Sequence, residues 1–150
     1  MLNNMLAGAF AGSEKATVNM EGDSVASAEL WLRQLYGKLV DESYAISIED
    51  IWLAIHFSRK TFLPLEKLND WFAELLKRNK GGEDMKGFEL DELQELLYPC
   101  QEFDHPKGFA HATRRLAYEM AGHITEHNPT RYGALHIRPQ IISMPGILIP

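Results

Sequence analysis

The sequence predicts an α+β protein that is predominantly α-helical. Of its 150 residues, 45% are hydrophobic and 24% are charged, an ordinary composition for a chain that folds around one core. Apolar residues recur at intervals of three and four through most of the chain, which is the spacing of one helix face. One short run, residues 16–20 around Thr17 and Val18, has the composition of a strand.

The N-terminal region predicts a short helix before this strand and a longer helix after it. The short helix has its apolar residues at helical spacing and ends near Gly12; they are Leu2, Met5, Leu6 and Phe10. Residues 23–39 predict the longer helix, which Asp23 or Ser24 caps and Gly37 ends. Its expected buried stripe is Val25, Ala28, Leu32, Leu35 and Tyr36.

Trp31 lies off this stripe, so a protein partner could contact it; packing in the core or at its rim is the other interpretation, and the sequence favours packing for the aromatic residues as a set. Residues 47–62 predict a helix that Ser47 and Asp50 start as a capping box. Residues 63–82 predict another, which begins at Pro64 because proline lacks the N–H that has no partner in a first helical turn. The polar stretch 81–87 is the best candidate for a domain boundary.

Two further helices are expected after this boundary. Residues 88–99 place leucines on one face before Pro99, and residues 99–106 predict a loop. A long helix over 107–127 is expected to stop before Pro129. The stretch 140–150 contains two prolines and no acid, and it predicts an extended or disordered tail.

The string His123-Ile124-Thr125-Glu126-His127 spells H-x-x-E-H, a signature of zinc peptidases. On a helix its two histidines would reach one zinc ion, and Glu126 would act as general base on the bound water. A catalytic zinc needs a third protein ligand, and His136 is the only plausible one downstream. The predicted helix also places both histidines on a polar stripe. Two surface histidines are therefore the expectation, with a zinc-dependent hydrolase as the alternative.

The single cysteine, Cys100, allows no intrachain disulfide and fits an intracellular protein, cytoplasmic or nuclear. We expect it to be a small buried hydrophobe. A structural zinc site with His105 would need a second cysteine, and a nucleophilic pair with His105 or His111 would need tertiary proximity. We therefore expect no metal, no cofactor and no catalytic residue.

The net charge of −6 is unevenly distributed along the chain. Residues 1–104 hold 19 acidic and 10 basic residues, a balance of −9, whereas residues 105–150 hold 2 acidic and 5 basic residues, a balance of +3. An acidic body argues against nucleic-acid binding, which needs clustered Lys and Arg. The sequence also predicts neither a signal peptide nor a membrane-spanning helix.

Three stretches together resemble BTB/POZ domain proteins of the fungal type. Residues 1–39, "MLNNMLAGAFAGSEKATVNMEGDSVASAELWLRQLYGKL", are similar to the second half of the domain. The segment "FLPLEKLNDWF" at 62–72 continues the similarity to about residue 80. The segment "FDHPKGFAHATRRLAYEMAGHITEHNPTRYGALHI" at 103–137 resembles the region that follows the domain. The family's first strands and first long helix would lie before the start of this sequence.

The resemblance implies a partial BTB/POZ-like domain at 1–80, a helical C-terminal extension at 81–139 and the tail at 140–150. It implies a non-catalytic protein–protein interaction module, an adaptor that forms homo- or heterodimers. Some members recruit a cullin-type ubiquitin ligase scaffold through a hydrophobic-x-acid step. Phe10 matches the hydrophobic anchor, but Gly12 stands where the acid is expected. A structural helical protein without a partner is the remaining alternative.

Overall fold

The computed structural model describes residues 23–79, 82 and 84–137. Within these ranges the chain forms five α-helices, which we label α1 Val25–Leu35, α2 Ile48–Thr61, α3 Asn69–Arg78, α4 Leu90–Glu102 and α5 Pro106–Glu119. Two short 3₁₀ helices, Asp41–Tyr44 and Leu65–Leu68, precede α2 and α3.

The predicted α+β class is wrong: the described ranges are all-α and contain no strand. The physical reason is that the segments 25–35, 48–61, 69–78, 90–102 and 106–119 repeat their apolar residues at helical spacing, so each buries its apolar stripe against another helix. The predicted strand at 16–20 lies outside the described residues. So do the short N-terminal helix with Phe10 and the tail at 140–150.

Local capping chemistry places the starts of the first two helices where the sequence predicts them. The hydroxyl oxygen of Ser24 accepts a hydrogen bond from the Ser27 N–H at 3.0 Å. The hydroxyl oxygen of Ser47 accepts one from the Asp50 N–H at 3.1 Å. Each bond satisfies a backbone donor that the first helical turn would otherwise leave without a partner.

The five helices share one hydrophobic core. Helix α1 packs on α2, α2 packs on α4, and α4 and α5 form the most extensive helix pair. Met85 is fully buried although it lies in the predicted linker 81–87. The guanidinium of Arg115 on α5 donates to the backbone carbonyls of Met85 at 3.0 Å and Phe88 at 2.7 Å. The core thus contains residues from both sides of the linker, and the domain boundary there stays a prediction.

The face that α1 buries differs from the predicted stripe. Its buried residues are Ser27, Leu30 and Trp31, whereas Val25 is 82% exposed and Tyr36 is 67% exposed. Trp31 is fully buried, and its indole N–H donates to the backbone carbonyl of Ala54 at 2.9 Å. The structure therefore favours core packing of Trp31 over contact with a partner. Burying a large indole removes more apolar surface from water than burying a valine.

Two predicted helix ends are also wrong. Helix α4 continues through Pro99 to Glu102, so part of the predicted loop 99–106 is helical. Helix α5 ends at Glu119 rather than near residue 127. Gly122 follows with a φ of +103°, a backbone conformation that glycine adopts at no steric cost.

Candidate partner-binding groove

A surface groove of about 470 Å³ lies where α2, α3 and α4 meet. Its floor is apolar and consists of Ile46, Ile48, Ile51, Leu75, Phe88 and Leu96. Three glutamates, Glu49, Glu92 and Glu95, also line it, and none of its lining residues within the described ranges is basic. We call this feature the acid-rimmed groove.

Helix geometry places these residues together. Ser47 fixes the start of α2, so Ile48 and Ile51, three positions apart, face the same side. On α4, Glu92, Glu95 and Leu96 follow the same three-and-four spacing. The acids therefore lie directly beside the apolar faces that these helices bury in the core. The site is not apparent from the sequence, because the leucines and isoleucines that form it are expected in the core. The signal was the alternation of acids with apolar residues in "ISIED" and "ELDELQEL".

The electrostatics of the rim favour a cation. Burial raises the pKa of Glu95 above its ordinary value, and the nearby carboxylates of Glu92, Asp91 and Glu49 raise this pKa further. His127 acts in the opposite direction, with its Nδ1 3.5 Å from Oε1 of Glu95. The negative charge of an ionised Glu95 is therefore only partly balanced in the protein without a partner. A positive charge in the groove would stabilise this ionised form.

Glu95 is also tied to the core through its main chain. The indole N–H of Trp52 donates to the backbone carbonyl of Glu95 at 2.7 Å. The ring of Trp52 also packs against Tyr98, which lies on α4 with Glu95, and the two ring centroids are 4.5 Å apart. The Trp52 indole thus lies directly behind the wall of the groove and can report on its occupancy.

The H-x-x-E-H residues do not form a helical metal site. His123 is exposed and follows the end of α5, so the i, i+4 geometry of a zinc motif is absent. Both carboxylate oxygens of Glu126 accept the backbone N–H of Ile137, at 3.1 and 2.9 Å. Burial raises the pKa of Glu126. Glu126 therefore closes the loop 126–137, and within the described ranges no three metal-ligating side chains are grouped.

Cys100 and His105, which the sequence left unconnected, lie close together at the junction of α4 and α5. Cys100 is buried, as predicted, and burial raises the pKa of its thiol. His105 caps α5 by accepting the Gly108 N–H on its Nδ1 at 2.9 Å. A buried thiol with a raised pKa is the unreactive form of cysteine. The pair therefore serves packing and capping rather than nucleophilic chemistry.

Comparison with known proteins gives no relative. No protein-family model matches the chain, and no curated protein or solved structure is significantly similar to it. None of the helices between residues 23 and 137 has the length and apolar character needed to span a bilayer. The acid-rimmed groove is therefore the feature of the described residues that bears most directly on function.

Proposed function

We propose that this protein is a protein–protein interaction module. In this proposal the acid-rimmed groove binds a partner segment that carries an apolar side chain next to lysine or arginine. The observation that carries the proposal is the combination of an apolar floor with three glutamates and, among the described lining residues, no lysine or arginine. Such a surface favours binding of a partner that is both apolar and positively charged.

The floor would hold the apolar anchor. Ile46 and Ile48 are half-buried, while Ile51, Leu75 and Leu96 are at most 3% exposed, so the floor rests on residues fixed in the core. Burying one leucine or phenylalanine side chain against it contributes about 1.5–3 kcal/mol before the costs of association. The volume of about 470 Å³ suits one or two side chains of a peptide segment.

The rim would select the charge of the partner. A partner cation near Glu49, Glu92 and Glu95 relieves the repulsion among the carboxylates that raises the pKa of Glu95. Rim charges act mainly through steering and discrimination rather than affinity. The partner is therefore a Lys- or Arg-flanked apolar segment, and an acid-flanked segment is rejected.

The resemblance to BTB/POZ proteins supports the same class of function, a non-catalytic adaptor that forms homo- or heterodimers. A cullin-type scaffold remains a candidate partner under this proposal, with Gly12 in place of the expected acid. We also propose an intracellular location, cytoplasmic or nuclear. The free, buried thiol of Cys100 supports it.

The test uses short acetylated peptides with a leucine–phenylalanine anchor flanked by lysines, and matched peptides flanked by glutamates. The protein has three tryptophans, and each donates its indole N–H to a backbone carbonyl. Each peptide is titrated into the protein, and the indole resonances are followed in ¹⁵N–¹H spectra. The Trp52 resonance should shift. The Trp31 resonance should shift less, because this side chain lies between α1 and α2. Only the lysine-flanked peptides should produce this change.

Charge reversal provides the matched control. Glu49 and Glu66 are both exposed glutamates in the first turn of a helix, but only Glu49 lines the groove. Glu49→Lys should weaken the lysine-flanked peptide about three- to fivefold, and Glu66→Lys should leave the affinity nearly unchanged. Equal binding of both peptide types, or equal effects of the two substitutions, would refute the proposal.

A further inference from the structure

The acid-rimmed groove continues into a second pocket of about 690 Å³ on the other side of Glu49 and Pro129. Both residues line both pockets, so the two form adjoining arms of one surface depression. The second arm runs between the start of α1, at Asp23 and Ser24, and the loop at 129–132. Its lining combines the polar residues Asp23, Ser24, Thr130 and Arg131 with the apolar surface of Leu53, Pro129 and Tyr132.

Asp23 is the unusual residue of this second arm. Its side chain is 1% exposed, and its Oδ2 accepts from the ammonium of Lys60 at 2.8 Å. Its other carboxylate oxygen, Oδ1, is shielded from solvent and has no hydrogen-bond partner among the residues that the structure describes. A buried carboxylate oxygen without a donor is costly, and native structures rarely leave one without a reason. A rotation of the Asp23 carboxylate that turns Oδ1 toward the adjoining pocket would let a donor on a ligand remove this cost.

The remaining walls of the arm are fixed in place. Tyr132 stacks on His56 of α2 with ring centroids 3.9 Å apart. Burial lowers the pKa of His56, although the carboxylate of Asp23 acts in the opposite direction. The guanidinium of Arg131 lies over the Tyr132 ring at 5.5 Å. Among the described residues, the charges at the arm are thus Asp23 with its partner Lys60, Glu49 at the junction, and Arg131 on the loop.

We propose that the second arm receives a lysine or arginine side chain of the same partner segment, whose cationic group donates to Oδ1 of Asp23 while the apolar anchor occupies the acid-rimmed groove. This inference rests on the proposed function and extends it, because it makes recognition bipartite. Glu49 lies between the two arms and faces the cation from the junction. The partner motif is therefore an apolar residue with a cation at one defined distance from it, rather than any basic apolar peptide.

The experiment varies the cation and its acceptor together. The probes are acetylated peptides with one leucine–phenylalanine anchor and a single lysine at successive distances from it, each paired with a peptide that carries norleucine in place of the lysine. Norleucine keeps the aliphatic chain and removes the charge. Affinities are measured by calorimetry for the full-length wild-type protein and for the Asp23→Asn and Lys60→Gln variants. The three indole resonances report that each variant is folded.

The two substitutions separate recognition from structure. Both break the ion pair between Asp23 and Lys60, but only Asp23→Asn removes the acceptor charge. At the best lysine distance, wild type should prefer lysine over norleucine about tenfold, and Asp23→Asn should reduce this preference to about twofold or less. Lys60→Gln should keep or increase the preference, because it leaves the Asp23 carboxylate without its internal cation.

Each outcome decides one of the two proposals. If Trp52 responds to the peptides but lysine and norleucine bind equally at every distance, the bipartite site is wrong and the groove proposal stands. If Asp23→Asn and Lys60→Gln change the preference alike, the role of Asp23 is structural and the bipartite site is wrong. If no peptide shifts the Trp52 resonance, the groove proposal itself fails.

Discussion

The indole N–H of Trp52 donates to the backbone carbonyl of Glu95, the acceptor that Pro99 leaves without a helical donor. In an α-helix this carbonyl would accept the N–H of residue 99, but proline has none. The side chain of Trp52 on α2 replaces that bond at 2.7 Å. A residue from a neighbouring helix thus allows α4 to continue through a proline that would ordinarily end or bend it.

We predict that Trp52→Phe lowers the free energy of unfolding by about 2–4 kcal/mol, because it opens a cavity beside Tyr98 and leaves the Glu95 carbonyl without a donor. In a Pro99→Ala background, the new Ala N–H can bond to that carbonyl. The cost of Trp52→Phe should then be smaller by about 1 kcal/mol. Urea unfolding of the four proteins of this double-mutant cycle measures the difference.

The same cycle with Trp31→Phe is its control. Trp31 donates to Ala54 and makes no bond to Glu95, so its substitution should be additive with Pro99→Ala. Equal coupling in the two cycles would show that Pro99 affects the core generally rather than through the Glu95 carbonyl.

We predict that Glu95→Gln makes the protein more stable relative to wild type as the pH rises. Burial and neighbouring carboxylates raise the pKa of Glu95 above the ordinary 4.5, so the folded state holds this proton more tightly than the unfolded state does. The resulting stability is fully present below the unfolded pKa and is lost as the pH rises through the folded pKa. Glutamine does not titrate, so the Glu95→Gln variant does not lose this part of the stability as the pH rises. Thermal unfolding from pH 4 to pH 7 measures the change.

The matched control is Glu66→Gln, which removes an exposed glutamate away from the groove. The stability difference for Glu95→Gln should rise with pH more steeply than that for Glu66→Gln. A lysine-flanked peptide should also bind wild type more tightly as the pH rises, because its cation favours ionised Glu95. The groups that face Glu95 are Glu49 on α2, Asp91 and Glu92 on α4, and His127.

We predict that Gly108→Ala destabilises the protein by about 1–3 kcal/mol, although alanine is ordinarily the better helix residue. A Cβ at this position would lie 2.6 Å from Nδ1 of His105 and 3.1 Å from Sγ of Cys100. It would therefore displace the His105 cap of α5. Gly133→Ala is the control, since a Cβ there meets no atom within 4 Å, and it should change stability by less than about 0.5 kcal/mol. A neutral Gly108→Ala in denaturant unfolding would show that this junction is not tightly packed.

We predict that Glu126→Ala releases the loop 126–137 and costs about 1–2 kcal/mol, because the Ile137 N–H loses its acceptor. Hydrogen exchange of the Ile137 amide should accelerate in this variant. Glu126→Gln retains an acceptor oxygen and should keep most of the protection. Unchanged exchange in Glu126→Ala would mean that other contacts hold the loop.

The zinc-hydrolase alternative assigns a different role to the carboxylate of Glu126. It requires this carboxylate to face a metal-bound water rather than the Ile137 N–H. Stoichiometric zinc in the purified protein, lost in His123→Ala, would contradict the structural role assigned to Glu126.

The sequence by itself determined where the first helices begin and that the described chain is mostly helical. Ser24, Ser47 and Gly37 act on backbone groups within one turn, so their effects are local and can be predicted without knowledge of the fold. The burial of Cys100 was also predictable, from residue type.

The tertiary structure alone decided three other features. It chose which face of α1 is buried, because Trp31 finds a carbonyl acceptor on α2 that no residue near it in sequence provides. It let α4 pass Pro99 because Trp52 supplies the missing donor. It ended α5 at Glu119 because the following segment bonds to α4 instead, with the His127 N–H donating to the Gln94 carbonyl at 3.2 Å. The acid-rimmed groove depends on the same long-range packing, which is why its acids were visible in the sequence but their convergence was not.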